Sequence, residues 1–227
     1  MPITREYKYG DAGDRYPIKM GETWRVGDAV LRCGDLEAGD GMKLVLDYKE
    51  RPKLMVTDPP WNSGNARTFR GKAGLDRPVD FPNLMSCVLE LGVLCKGEVW
   101  IEMGVQYLFK LTEQVRALHG HVLQTFETTY YKKRPNRLMR CVFHGEWCAL
   151  PLFDPTGMDD ADFTAPIIAH YSQPGDVVCD PCTGQGQMAV DAIKQGRRFI
   201  GLELNPRRLA VTVDKLVQLT GAKPEKL

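Results

Sequence analysis

The chain has 227 residues, of which 43% are hydrophobic and 26% are charged, which is the composition of an ordinary globular protein. This length supports one sizeable core, since domains usually contain ~100 to 200 residues. The 30 Lys and Arg residues stand against 29 Asp and Glu residues, so the net charge is +1. A global excess of basic residues is therefore excluded, and any binding of nucleic acid must use local patches.

The cysteines and the apolar runs indicate the cellular setting. The 7 cysteines have no framework spacing, which suits a reducing cytoplasm. No apolar run approaches the ~20 residues that span a bilayer, so we expect a cytoplasmic protein without a membrane segment. Cys179 and Cys182 form a C-x-x-C pair, but the histidines show no matching pair spacing. We therefore expect no metal site.

The elements predicted along the chain alternate between strand and helix. Residues 1–28 are polar and Gly-rich with poor periodicity, so we predict an N-terminal arm followed by one catalytic domain over residues 29–227. Short β-rich runs then alternate with helical patterns, which predicts an α/β fold with a mostly parallel sheet covered by helices. The predicted strands, seven in number, are residues 29–33, 54–57, 98–102, 122–131, 141–144, 177–179 and 199–202.

Helical periodicity is found over residues 84–94, 105–118 and, more briefly, 165–171. The last helix is the clearest, because Asn205 can cap it, Pro206 suits its first position and Gly221 can end it. The runs between residues 122 and 144 have no helix between them. They predict an antiparallel hairpin that finishes the sheet.

The predicted strand at residues 54–57 runs directly into Asp58-Pro59-Pro60-Trp61. Prolines lack an N–H group and have a fixed φ, so they cannot continue a ladder and instead hold an extended turn. This turn presents Asp58 and the carbonyl of Pro59 at the carboxyl edge of the sheet. A bare turn does not need Trp61, so we interpret the segment as a catalytic motif.

This combination suits the methylation of an exocyclic amine on adenine or cytosine, whose lone pair is delocalised into the ring. If Asp58 and the Pro59 carbonyl each accept one N–H, the nitrogen is drawn towards tetrahedral geometry and its lone pair faces an incoming methyl group. Trp61 would stack on the extruded base, a contact worth ~1 to 3 kcal/mol in comparable sites. Its face would also stabilise a sulfonium charge.

A second pattern is a strand, a glycine turn, a helix and a second strand that ends in Glu203. Glycines at such a turn let the backbone approach a ligand, and the acid can accept hydrogen bonds from both ribose hydroxyls. The spacing of Gly184 and Gly186 alone is compatible with a dinucleotide. However, Asp180 at the mouth of the turn would repel a pyrophosphate and favour an ammonium or sulfonium group. We therefore predict S-adenosyl-L-methionine as the cofactor.

Together these segments resemble the S-adenosylmethionine-dependent amino-methyltransferases of bacterial and phage DNA, in the permuted (β) motif order. The resemblance implies a Rossmann-like methyltransferase fold with helices on both faces of the sheet. It implies Asp58, Pro59, Pro60 and Trp61 as the catalytic motif. It implies that the cofactor is bound by Asp35, Asp180, Pro181, Thr183, Gly184, Gly186, Glu203 and Asn205, with Asp35 near its adenosine.

Two departures from the family pattern stand out. The family usually has Phe and then Gly-Ser-Gly-Thr-Thr in the cofactor loop, whereas this chain has Cys182, Thr183, Gln185 and Gln187, which changes the side chains available to the methionine carboxylate. The segment 145–175 is also too short for a large target-recognition domain. We therefore expect weak, salt-sensitive and loosely specific DNA binding, unless a homodimer or a partner subunit supplies the rest.

Two basic segments are predicted to meet the nucleic acid. The Gly-rich stretch 62–82 is typical of a loop that orders over a flipped base, with its cations on phosphates. The hairpin turn combines tyrosines with cations, which suits backbone contact and base stacking. The predicted substrate-binding residues are Arg67, Arg70, Lys72, Tyr131, Lys132, Lys133, Arg134 and Arg137, with Arg77 and Arg140 in the same two clusters.

The function predicted from these features is transfer of a methyl group from S-adenosyl-L-methionine to the N6 amine of adenine in double-stranded DNA after base flipping. Aspartate at position 58 favours adenine, because by family resemblance the cytosine-N4 enzymes more often have serine there. The alternatives are an RNA adenine-N6 methyltransferase, a DNA cytosine-N4 methyltransferase and a non-catalytic partner subunit that binds nucleic acid. An NAD oxidoreductase would depend on Gly184-x-Gly186-x-x-Ala189 alone.

Overall fold

The computed structural model describes residues 9–76, 78–131, 134–144 and 151–227. Within them the chain forms a nine-stranded sheet in the order β5-β6-β4-β3-β7-β8-β2-β1-β9. The strands are β1 (Thr23–Val26), β2 (Ala29–Cys33), β3 (Leu54–Thr57), β4 (Glu98–Met103), β5 (His121–Tyr130), β6 (Arg134–Val142), β7 (Val177–Asp180), β8 (Arg198–Glu203) and β9 (Glu225–Lys226). The helices are α1 (Tyr9–Arg15), α2 (Asp40–Tyr48), α3 (Ser63–Lys72), α4 (Phe81–Leu94), α5 (Leu108–Ala117), α6 (Asp160–Tyr171), α7 (Gln187–Lys194) and α8 (Pro206–Thr220).

The centre of the sheet is parallel and both of its edges are antiparallel. Strands β4, β3, β7, β8 and β2 run parallel to one another. On one side β6 pairs antiparallel with β4, and β5 closes the predicted hairpin. On the other side β1 pairs with β2, and β9 pairs with β1. The α/β prediction is confirmed, but the count of seven strands is wrong, because β1 and β9 extend the sheet to nine.

Helices cover both faces of the sheet, as predicted. One hydrophobic core contains buried residues of α1, α6, α7 and α8, and a second contains residues of α2, α3, α4 and α5. This arrangement explains why β3 and β7 are buried at every position rather than alternating between apolar and polar residues. The described helices include none that is both long enough and apolar enough to cross a bilayer.

Regular structure begins before Ala29, so the prediction of an irregular arm over the first residues is wrong in the described part. Helix α1 buries Ala12 in the core beside α8, and Arg15 forms an ion pair of 2.9 Å with Asp214 of that helix. Strand β1 follows and joins the sheet. These elements form through contacts with α8 and β2, which are distant in sequence and leave no local periodicity.

The Gly-rich stretch 62–82 is also more ordered than predicted, because it contains α3 and the start of α4. The side chain of Asn62 caps α3 by accepting the N–H of Asn65 at 2.9 Å. The side chain of Asp80 caps α4 in the same way, accepting the N–H of Asn83 at 3.1 Å. The segment that follows the Asp58 motif is therefore largely helical.

The topology creates a crevice between β3 and β7. From β3 the chain passes through α3 and α4 to β4 on one side, whereas from β7 it passes through α7 to β8 on the other side. Ligands of open α/β sheets bind at such switch points, outside the carboxyl ends of the strands. Asp58 follows β3 and Asp180 ends β7, so both residues stand at this crevice.

Candidate active site

A cavity of about 640 Å³ opens at the carboxyl edge of the parallel strands. This volume lies within the range of ~300 to 1,000 Å³ that is usual for sites of small ligands. The predicted site residues that line it are Asp35, Asp58, Pro59, Pro60, Trp61, Arg70, Arg134, Asp180, Pro181, Thr183, Gly184 and Glu203. The fold therefore brings the Asp58 motif and the glycine turn, which are far apart in sequence, into a single cavity.

Trp61 orients Asp58. Its indole Nε1–H donates a hydrogen bond of 2.8 Å to Oδ1 of Asp58. The indole ring also makes an edge-to-face contact with Tyr130 of the hairpin, with ring centroids 4.8 Å apart. A turn of two prolines with this bond holds the carboxyl group in one direction. Sequence reasoning predicted a stacking surface here, and the structure adds a positioning hydrogen bond.

The carboxyl group of Asp58 holds its proton more tightly than an exposed aspartate does. Burial raises its pKa to about 7, the hydrogen bond from Trp61 lowers it, and the nearby charge of Asp160 raises it. A carboxyl group with a pKa in this range can accept and release a proton near neutral pH.

Two further acids, Glu102 and Asp160, line the same cavity and were missed by sequence reasoning. Glu102 accepts a hydrogen bond from Nδ2 of Asn136, and burial together with the charge of Asp58 raises its pKa to about 10. Burial and the neighbouring Asp159 raise the pKa of Asp160 to about 6. Glu102 stands near the carboxyl end of β4, beside β3, so the reasoning that selected acids at strand ends also applies to it.

Asp180 fixes the glycine turn to the neighbouring strand. Its Oδ1 accepts hydrogen bonds from Oγ1 of Thr57 at 2.8 Å and from the backbone N–H of Cys182 at 2.9 Å. Burial raises its pKa to about 7, although both hydrogen bonds lower it. The carboxyl group is 1% exposed and still borders the cavity. Its negative form would therefore face a bound cation across a low-dielectric gap.

The turn needs glycine for two physical reasons. Gly184 and Gly186 have φ angles of 59° and 80°, in the left-handed region that other residues rarely adopt. A Cβ atom at Gly186 would also clash with the side chain of Thr212. On the facing strand, a Cβ atom at Gly201 would clash with Oγ1 of Thr183. The turn is thus packed tightly against α8 and β8.

Glu203 and Asn205 play different roles although they are two residues apart. Glu203 ends β8, lines the cavity, and accepts the backbone N–H of Asn205 at 2.8 Å, and burial raises its pKa. Asn205 caps α8 by accepting the N–H of Arg207 at 2.9 Å, and its Nδ2 donates to the carbonyl of Lys72 at 3.0 Å. Asn205 was predicted to bind the cofactor, and in the structure its side chain caps this helix.

Arg70 was predicted to contact phosphate, and the structure corrects this. It is 3% exposed, and its guanidinium group donates two hydrogen bonds of 3.0 Å, one to each carboxylate oxygen of Asp35, with a further ion pair to Glu37. Asp35 lines the cavity as predicted, but its two oxygens are engaged by this arginine. Arg67 and Lys72 are exposed on the same helix and remain open to a substrate.

The hairpin cluster divides into exposed and buried members. Tyr131 and Arg134 are exposed at its end, and Arg137 forms an ion pair of 2.8 Å with Glu127, whose side chain is 76% exposed. Arg140 is fully buried and donates its Nε–H to Glu98 at 2.7 Å, so the prediction that it belongs to a basic surface is wrong. Lys132, Lys133 and Arg77 lie outside the described residues.

Several solved structures share this fold. M1.HpyAVI in complex with SAM has a TM-score of 0.63 and 13% identity, covering 83% of this chain and 98% of its own. TTHA0409 from Thermus thermophilus, complexed with S-adenosyl-L-methionine, has a TM-score of 0.60 and 17% identity, covering 86% and 95%. The PvuII DNA methyltransferase (cytosine-N4-specific) has a TM-score of 0.59 and 12% identity, covering 90% and 98%. The chain therefore has the predicted Rossmann-like methyltransferase fold.

Sequence comparison finds one matching segment. Residues 161–214, which include the glycine turn and Glu203, match the model of the family described as DNA methylase. The type II methyltransferases M.Cfr9I of Citrobacter freundii and M.XycI of Xanthomonas campestris pv. cyanopsidis are 37% and 35% identical to this chain over 51 residues. Each match covers 22% of this chain and 17% of the relative. The aligned part thus spans about a sixth of the length of these curated relatives.

Proposed function

We propose that this protein is a DNA methyltransferase that transfers a methyl group from S-adenosyl-L-methionine to the N6 amine of an adenine flipped out of the duplex. The observation that carries the proposal is the shared cavity. In it the Asp58 motif faces a glycine turn and Glu203, at the switch point of the sheet. This arrangement puts an amine-binding group beside a nucleoside-binding edge.

The residues of the cavity fit the cofactor in shape and charge. Gly184 lines the cavity without a side chain, so its backbone can come close to a ligand, and Glu203, which lines the same cavity, would accept hydrogen bonds from ribose hydroxyls. The acids Asp58 and Asp180 favour a positive charge between them. When bound, S-adenosyl-L-methionine supplies an electrophilic methyl group on a sulfonium sulfur.

Asp58 and its neighbours would prepare the amine. The carboxylate of Asp58 accepts one amine N–H and the carbonyl of Pro59 accepts the other, so the nitrogen lone pair is turned towards the methyl group. Trp61 holds the carboxylate by its hydrogen bond of 2.8 Å. The rings of Trp61 and Tyr130, with centroids 4.8 Å apart, form an aromatic wall for a flat base.

The transfer also requires a group that accepts a proton. As the nitrogen bonds to the methyl carbon, the carbon–sulfur bond would break and its electron pair would stay on sulfur, which leaves as a neutral thioether. The nitrogen must then lose one hydrogen, and Asp58, which accepts that N–H, would take it as a proton. Its pKa of about 7, set mainly by burial, suits that role near neutral pH. Asp160, with a pKa raised by burial to about 6, lines the same cavity and would take the proton onwards to solvent.

The more specific parts of the proposal are that the methylated base is adenine and that the nucleic acid is DNA. Aspartate at position 58 supports adenine through the family resemblance, and the match of residues 161–214 to the DNA methylase model supports DNA. The exposed cations Arg67, Lys72 and Arg134 would supply contacts to phosphates, and Tyr131 is exposed at the same hairpin as Arg134. With so few cations, specific binding needs a second copy of the chain or a partner subunit.

The test is incubation with labelled S-adenosyl-L-methionine and matched duplex DNA and RNA oligomers, followed by analysis of the nucleosides. We expect label in N6-methyladenine from DNA. Product only as N4-methylcytosine, or only in RNA, would contradict the finer proposal. Absence of both product and cofactor binding would contradict methyl transfer itself and favour a non-catalytic subunit.

A further inference from the structure

Arg208 differs from the other cations around the cavity. Within the described part of the chain, the cations that line it are Arg70, Arg134, Arg208 and Lys215. Arg70 is held by Asp35, and Nζ of Lys215 donates to a backbone carbonyl of the glycine turn at 2.9 Å. Arg134 is exposed at the hairpin. No hydrogen bond or ion pair among the described residues involves the guanidinium group of Arg208, and its Nε is buried without a partner.

The position of this guanidinium group is nevertheless fixed. Its Cζ lies 5.1 Å from the centroid of the Phe69 ring, over the ring, so the cation is held by α3. On the other side, a Cβ atom at Gly184 would lie 2.8 Å from Nη2 of Arg208. The planar fork of donors therefore lies against the glycine turn and lines the cavity. A buried donor such as its Nε–H is costly unless a ligand or water satisfies it.

The charge around Arg208 defines what it can bind. The acids that line the cavity are Asp35, Asp58, Glu102, Asp160, Asp180 and Glu203. Burial raises the pKa of Glu203, and the positive charge of Arg208 opposes that rise, as it also does at Asp58. Arg208 thus lies within electrostatic reach of both ends of the cavity. These acids attract sulfonium and ammonium groups and repel a carboxylate, so a bound carboxylate needs a cation beside it, and Arg208 provides one next to the glycine turn.

We propose that Arg208 binds the carboxylate of the methionine part of S-adenosyl-L-methionine, through the N–H groups of its planar fork. The inference depends on the proposed function, because it takes this cofactor as the ligand. A DNA phosphate would reach the exposed Arg134 first.

The test compares S-adenosyl-L-methionine with its decarboxylated form, which keeps the sulfonium and amine but lacks the carboxylate. Binding of both is measured by calorimetry to the wild type, to Arg208→Gln and to Arg208→Lys. We expect Arg208→Gln to weaken the complete cofactor about 10- to 100-fold, as for a charge-assisted hydrogen bond, and to leave the decarboxylated form within about twofold or tighter. Arg208→Lys should lie between, because lysine keeps the charge but loses the fork.

Arg207→Gln is the matched control, because Arg207 is the exposed neighbour on the same helical turn, and it should change neither affinity. Thermal melting of each variant checks the fold. Equal weakening of both ligands by Arg208→Gln, or no weakening of either, would overturn the inference and leave the proposed function standing. Failure of the wild type to bind either ligand would overturn both.

Discussion

Replacing Asp58 with asparagine is expected to stabilise the protein at alkaline pH while abolishing its chemistry. In the folded chain burial raises the pKa of Asp58 from its ordinary value of 3.8 to about 7, so the group keeps its proton up to that pH. A raised pKa contributes stability at low pH that is lost as the pH rises through the folded value. Between the ordinary and the folded pKa, each pH unit lowers the free energy of unfolding by ~1.36 kcal/mol. About two such units lie between pH 5 and the folded pKa. The wild type should thus lose on the order of 3 kcal/mol from this group between pH 5 and pH 8.5.

The assay is urea unfolding of the wild type and Asp58→Asn at pH 5 and pH 8.5. Asparagine has the same shape and its amide oxygen can still accept the N–H of Trp61, so only the charge is removed. The difference in free energy of unfolding between variant and wild type should grow by about 1 to 3 kcal/mol across this range. Asp76→Asn, at an exposed position before α4, measures the effect of losing a surface carboxylate. If the free energies of unfolding of Asp58→Asn and the wild type change by the same amount between pH 5 and pH 8.5, the reasoning is refuted.

Further variants test the packing around the cavity. Gly201→Ala should displace Thr183, whose Oγ1 would clash with the added methyl group, and cost about 1 to 3 kcal/mol of stability by urea unfolding, with weaker cofactor binding. At Gly71 in α3 an added methyl group would have no atom within 4 Å, so Gly71→Ala should stabilise the protein by about 0.5 to 1 kcal/mol. Equal effects of Gly201→Ala and Gly71→Ala on stability would contradict the tight packing at Gly201. Arg70→Met removes the ion pair with the buried Asp35 and should cost about 3 kcal/mol or more of stability in the same assay. A cost below about 1 kcal/mol would contradict a buried ion pair at this position.

The elements that sequence reasoning found are those with strong local signals. Residues 29–33 and 54–57 are strands with the predicted bounds, and α8 begins at Pro206 and ends before Gly221, as predicted. A continuous apolar run and a set of capping residues are both visible in the local sequence. Asp58 and Asp180, which were selected separately as the acids that follow or end predicted strands, line one cavity in the structure.

The errors arise where tertiary contacts override the local pattern. Helix α3 has two glycines and no apolar stripe, and it forms because Asn62 caps it and Arg70 is anchored on Asp35. An arginine in a polar stretch looks like a surface cation, and only the fold reveals that Arg70 and Arg140 are buried with carboxylate partners. For Arg208 no local signal exists, since its relation to the glycine turn depends on the packing of α8 against it.

Methyl transfer and cofactor binding measured on the same samples of wild type and Asp58→Ala test the central claim most directly. The proposed function predicts that the wild type transfers label from S-adenosyl-L-methionine to adenine in duplex DNA. It predicts that Asp58→Ala loses this transfer while calorimetry finds its affinity for the cofactor within a few fold of the wild type. Transfer that survives the substitution, or an equal loss of transfer and binding, would contradict the assignment of Asp58 to the amine.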